Sequence, residues 1–235
     1  MVKSYAAGGA EFRLTIPRLD IERGSKLAFV GESGSGKSTL LELLAMILRP
    51  SASGTFVFRP RASGESHDIA AAWQSADPDS MAALRSRHIG YVLQYGGLLP
   101  YLTVRENIVL SRQLLHLPQA DSAEHWAERL KITAQLGKRP AELSVGQRQR
   151  VAIARALAHD PTVLIADEPT AAVDPLNAER IMEVMIGLVE ETGVTLIVAS
   201  HAHSLMRRAG LRMINHRIDA EGGTLLHIKV SDVAD

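Results

Sequence analysis

Leu27-Ala28-Phe29-Val30-Gly31-Glu32-Ser33-Gly34-Ser35-Gly36-Lys37-Ser38 is the stretch that decides the fold: an apolar run, a glycine-rich turn, then a lysine and a hydroxyl. Gly31 to Ser38 meets the pattern G-x-x-x-x-G-K-[S/T] in full, and leucines at helical spacing follow from Lys37 to Leu48. The stretch reads as buried strand, phosphate-cradling loop and helix. Glycines let successive backbone N–H groups turn toward phosphate oxygens, the helix start adds its positive end, and Lys37 reaches the β and γ phosphates. Ser38 offers a hydroxyl to Mg²⁺, and Thr39 follows it in the first turn. Gly31, Glu32, Ser33, Gly34, Ser35, Gly36, Lys37, Ser38 and Thr39 are therefore expected to hold a nucleoside triphosphate.

A second apolar strand signal, Val163-Leu164-Ile165-Ala166, stops in Asp167 and Glu168 ahead of Pro169. Beside a phosphate loop this places Asp167 toward Mg²⁺ and leaves Glu168 to orient or deprotonate the attacking water. A strand simply ending at a solvated turn is the alternative. Ile89 to Leu93 and Thr195 to Ala199 read as further buried strands, and Thr55 to Phe58 as a brief one. Helices are predicted over Val104 to Leu115, Glu124 to Leu130, Val145 to Ala158 and Pro175 to Thr192. Thr103 with Glu106, and Ser144 with Gln147, form capping-box patterns at two of these starts. Arg61 to Asp79, polar and punctuated by Pro78, is expected to be loop, and the tail to form short strands around Gly222-Gly223. Strands alternating with helices imply an α/β domain, a mostly parallel sheet with helices on both faces. His201 follows a strand, and His201-Ala202-His203 lacks the further ligands a metal site needs.

The chain of 235 residues fits one large domain or a core with one insertion, at ~150 residues per domain. Lys plus Arg and Asp plus Glu number 26 each, for zero net charge, which argues against a dedicated nucleic-acid binder. The absence of cysteine excludes disulfides and cysteine-ligated metal. Met1 to Pro17 carries Lys3, Glu11 and Arg13 and no signal-peptide core, and the longest apolar runs fall far short of the ~20 residues that span a bilayer. Any membrane role would then use a separate chain.

Leu143-Ser144-Val145-Gly146-Gln147-Arg148-Gln149-Arg150 resembles the signature motif of the ATP-binding cassette family. The order along nearly the whole chain agrees: phosphate loop, Gln94, signature, acidic strand, Asp174, His201. The motif's first glycine is replaced by Val145, which at a first helical position needs only a negative φ. The resemblance implies a single P-loop NTPase domain over residues 1–235. Its RecA-like core would take about 1–93 and 161–235, with a small antiparallel β part and an inserted α-helical subdomain at about 94–160.

The same resemblance implies roles residue by residue. Tyr5 would stack on adenine, with Phe12 a second candidate. Gln94 would touch Mg²⁺ and the attacking water while sensing a membrane partner, and Ser38 and Asp167 would share the ion. Glu168 is implied as general base and His201 as the switch residue at the γ phosphate. Asp174 would lie in the loop that crosses between subunits, although Asp174-Pro175 is also a natural helix cap and first position. Two cassettes would pair head to tail, each ATP lying between one phosphate loop and the other subunit's Ser144, Val145, Gly146 and Gln147.

Gln94 to Asn107 resembles the corresponding region of the bacterial lipoprotein-releasing and macrolide-exporter class. That implies an ATP-hydrolysing subunit on the cytoplasmic face of the membrane, held there by a separate transmembrane permease. The work would be export or extraction of a lipoprotein, peptide or small molecule. Import and division-associated cassettes share much of the pattern, and a non-transport cassette ATPase is a further alternative. Leu98 and Leu99 read equally as a partner-docking loop or as core.

Overall fold

The computed structural model describes residues 1–7, 10–60, 64–75, 78–214, 217–218 and 224–225. The chain begins with two antiparallel strands, β1 (Val2–Ala7) and β2 (Ala10–Thr15), then enters β3 (Lys26–Val30), the phosphate loop and α1 (Lys37–Leu44). Short β4 (Val57–Phe58) and β5 (His67–Asp68) pair before α2 (Ile69–Gln74), α3 (Pro78–His88) and β6 (Ile89–Val92). Helices α4 (Val104–Leu114), α5 (Ser122–Arg129) and α6 (Val145–Leu157) follow, with two 3₁₀ turns between the last two. Then come β7 (Val163–Asp167), α7 (Pro175–Thr192), β8 (Thr195–Ser200), α8 (His203–Arg208), β9 (Arg212–Ile214), β10 (Arg217–Ile218) and β11 (Thr224–Leu225).

The main sheet has order β6-β7-β8-β3-β9, and every pairing in it is parallel. Parallel strands are buried on both faces, which is why these runs are almost wholly apolar. Alternation then sorts them. Ala28, Val30, Leu164, Ala166, Leu196 and Val198 face a cluster with residues of α4 to α7, while Leu27, Phe29, Ile165 and Ile197 face α1 and Leu14 of β2. The smaller sheet runs β1-β2-β11-β10; its outer pairs are antiparallel and β11 joins β2 in parallel. The chain is thus an α/β P-loop fold with a mostly parallel sheet and a small second sheet. Gly222-Gly223 lie outside the described residues.

The differences from the sequence reading have identifiable causes. The stretch expected to be loop, Arg61 to Asp79, holds β5, α2 and the start of α3. Asp68 caps α2, its carboxylate accepting from the Ala71 amide at 3.0 Å, and Pro78 opens α3 as a first helical residue instead of breaking a helix. Ile69 and Met81 then bury themselves against Met46 in a satellite cluster, a tertiary contact that a polar composition conceals. Neither β1 nor β2 is read from the sequence, and each supplies the hydrogen bonds of the other; α8 and β9 likewise lie where the sequence reading places no element.

Because the strands are parallel, their carboxyl ends share one edge. Val30 pairs with Ser200, Asp167 with Ala199 and Val92 with Ala166. The phosphate loop, Gln94, the acidic pair and His201 follow those ends directly, so the topology alone brings together groups up to 170 residues apart (201 − 31).

Candidate functional site

The phosphate loop closes on left-handed turns at Gly34 (φ +81°) and Gly36 (φ +86°). At Gly36 the positive φ disfavours any other residue, and a Cβ would also lie 2.7 Å from the Phe12 ring, which would have to shift. Gly36 is the N-cap of α1 and no side chain caps that helix, which leaves its first amides free for an anion. Lys37 is buried, and its Nζ donates to the carbonyl oxygens of Gly31 and Glu32, each at 2.8 Å. The same Nζ lies 3.8 Å from a carboxylate oxygen of Glu168.

Glu168 sits just past β7 with φ +46°, in the left-handed region that non-glycine residues rarely occupy, at a cost of about 1–3 kcal/mol. Surrounding bonds hold it there. Its amide donates to the Ala199 carbonyl at 2.9 Å, and its Oε2 accepts from the His201 amide at 3.3 Å and lies 2.9 Å from His201 Nδ1. The backbone turn therefore aims the carboxylate back over the phosphate loop. Asp167 Oδ1 is buried with no hydrogen-bond partner among the described residues. A buried carboxylate oxygen without a donor suits a bound cation.

One pocket of ≈ 750 Å³ is lined by Phe12, Glu32, Ser33, Gly34, Gly36, Lys37, Ser38, Thr39, Gln94, Glu168 and His201; Asp167, Gly31 and Ser35 of the predicted site do not line it. A larger cleft of ≈ 930 Å³ opens among Ile16, Thr55, Phe56, Val163 and Ile197, where no residue of the predicted site lies. The smaller pocket is where the chemistry converges.

Other predicted residues stand apart. Tyr5 does not line the pocket; its ring rests against Phe12 at 6.1 Å between centroids, so Phe12 is the aromatic that meets the loop. Ser144 caps α6 as its spacing indicates, accepting from the Gln147 amide at 3.3 Å while Gln147 Oε1 accepts from the Ser144 amide at 2.9 Å. Val145 is 40% exposed, and Gly146 nears only the Val173 side chain. Asp174 caps α7 by accepting from Asn177, which holds its carboxyl below the usual range. None of Ser144, Val145, Gly146, Gln147 or Asp174 lines the phosphate pocket.

One group near the site escaped the sequence reading. Tyr91 on β6 has its phenol ionisation pushed up, first by burial and then by the charges of Asp167 and Glu42, so it stays a neutral hydroxyl. Only strand register could reveal it.

A sequence model described as "ABC transporter" matches residues 14–171. The chain belongs to the ABC transporter family. It is an ATP-binding subunit and an ABC ATPase. The cassette is 38% identical over 210 residues to the lipoprotein-releasing system ATP-binding protein LolD of Oleidesulfovibrio alaskensis, covering 88% of this chain and 84% of that one. It is 37% identical over 209 residues to the methionine import ATP-binding protein MetN of Caulobacter vibrioides, covering 88% of the cassette but 59% of the relative. Among solved structures, the dimeric post-hydrolysis state of the ATP-binding cassette MJ0796, bound to ADP and Pi, superposes with a TM-score of 0.78 at 30% identity. That match covers 94% of this chain and 93% of the other. No helix among the described residues is long and apolar enough to cross a membrane.

Proposed function

We propose that this cassette works as a pair of copies, each ATP held between one copy's phosphate loop and the other's Ser144 to Gln147, and that the pair powers a separate membrane permease. The observation that carries this reading is the separation within one chain. Lys37, Gln94, Glu168 and His201 converge on one pocket, whereas Ser144, which caps α6 at the surface, lies outside it. A second copy supplies what the pocket lacks. The dimeric state in the MJ0796 structure supports the arrangement.

In that sandwich the free amides of the phosphate loop and Lys37 hold the β and γ phosphates, and Phe12, backed by Tyr5, offers a face to the base. Glu168 accepts the proton of the water that attacks the γ phosphorus, as the bond to the β-phosphate oxygen breaks and ADP leaves. His201 holds Glu168 in place and reaches toward the γ phosphate. Ser38, Gln94 and Asp167 are the oxygen donors suited to Mg²⁺, with the unpartnered Asp167 oxygen as the physical reason. Bound there, the ion would neutralise charge on the β and γ phosphates.

Tyr95 is 79% and Tyr101 66% exposed on the loop after Gln94, while Leu98 packs against the core. The two tyrosines offer a partner face, which supports docking of a permease and a position on the cytoplasmic side of the membrane. The lipoprotein-releasing relative favours export or extraction of a lipoprotein, peptide or small molecule; the methionine import relative supports import as the second reading. Residues 94–160, helical throughout their regular structure, fit an inserted subdomain that carries both this loop and the signature.

The test is Glu168→Gln. With ATP and Mg²⁺ this variant should elute as a dimer in gel filtration, since hydrolysis no longer removes the bridging phosphate. Monomer alone would overturn the paired site, and copurification with a multi-span membrane chain tests the permease.

A further inference from the structure

The loop that leaves Gln94 is held by a fork from the helix that begins at Ser144. Arg155 Nη1 donates to the Gly97 carbonyl and Nη2 to the Gly96 carbonyl, each at 2.9 Å. Both glycines are left-handed, with φ +75° and +56°. At Gly97 the positive φ is the constraint: an added Cβ would lie 2.5 Å from Leu93 Cδ1, the tip of an exposed side chain that can move aside. The far end of the loop is fixed by buried Asn107, whose Oδ1 accepts from the Leu99 amide at 2.9 Å and whose Nδ2 donates to the Leu99 and Thr103 carbonyls at 3.1 and 2.9 Å.

The two clamps differ in what they connect. Asn107 is on α4 and bonds to its own approach segment, so it shapes the loop locally. Arg155 is on α6, roughly 16 Å along the axis from Ser144 at 1.5 Å per residue. A helix transmits displacement along its axis as a rigid rod. Any shift of α6 that reseats Ser144 must either carry the two carbonyls beside Gln94 or break two hydrogen bonds to a half-buried guanidinium.

We propose that Arg155 is a positioning residue for Gln94, tying the Gln94 loop to the signature helix so that seating Ser144 on the partner's nucleotide and seating Gln94 occur together. This rests on the reading of Gln94 as a group acting at the ATP site. A planar fork is needed to straddle two adjacent carbonyls, and a lysine has only a point charge to offer.

The test uses the full chain with Arg155→Lys, Arg155→Gln, Gln94→Ala and the double variant Gln94→Ala/Arg155→Lys. ATP affinity by titration calorimetry should stay within about 2-fold for Arg155→Lys while kcat falls about 10-fold, and the double variant should be no slower than Gln94→Ala alone. Amide exchange at Tyr95 to Leu98 should speed up while the amides of β7 keep their protection. Full additivity of the two losses, or unchanged exchange in the loop, overturns the proposal. Gln94→Ala retaining full kcat overturns the reading of Gln94 itself and the inference with it. Loss of β7 protection in both Arg155 variants makes the residue a folding residue and overturns the positioning role.

Discussion

Two helix starts belong to the proposed nucleotide site of this cassette, and they are built in opposite ways. α1 begins at Gly36 with no side-chain cap and with Lys37 buried at its first position, inside a walled pocket. α6 begins at Ser144 with a complete capping box and an exposed valine beside it. The first has amides to spare and a buried charge at hand, so it can hold an anion unaided. The second has already satisfied part of its donor set from its own side chains. It can add to a phosphate site but lacks the walls and the charge to make one. In the proposed pair, the contrast separates the half that binds from the half that would report that binding to a second copy.

The comparison can be broken most directly at Lys37. Lys37→Ala should weaken ATP binding about 100-fold in titration calorimetry, the scale of losing charge-assisted hydrogen bonds to phosphate. Unchanged affinity would mean that the α1 start is not the binding half. Ser144→Ala should act on the other side only, leaving ATP affinity of the single chain within about 2-fold while weakening ATP-dependent pairing of the Glu168→Gln chain about 10-fold. A matching loss of affinity in the single chain would erase the distinction. The smallest effect belongs to Val145→Gly, which removes an exposed side chain from a first helical position at a propensity cost under about 1 kcal/mol. ATPase rate should stay the same or rise by about 2-fold. A large fall would assign the valine a specific contact.

Much of the binding half was legible in the chain. Gly31 to Ser38 is a contiguous pattern whose spacing is set by the turn it makes, so reading it needs no tertiary knowledge. The capping boxes at Thr103 and Ser144 are equally local, and both form with the expected bonds. Phe12 illustrates the limit. It is the second candidate beside Tyr5, and which of the two rings meets the phosphate loop depends on strand register, since they face each other across β1 and β2 and Phe12 reaches Gly36. Arg155 was invisible for a stronger reason. Nothing within ten residues of it explains a guanidinium there; its partners, Gly96 and Gly97, are some sixty residues earlier.

The amino-acid sequence by itself determined that there is a phosphate loop, which strands are buried, where the helices begin and which family motifs occur in what order. These are short-range properties: a turn, a period, a cap. Only the tertiary structure decided that Glu168 is held at positive φ by Ala199 and His201, that Asp167 keeps an unpartnered oxygen, and that Arg155 straddles the Gln94 loop. Each of those depends on parallel strands and packed helices bringing distant segments within hydrogen-bond reach, at about 3 Å. At that range sequence spacing carries no information, because loop closure and side-chain packing set the distance.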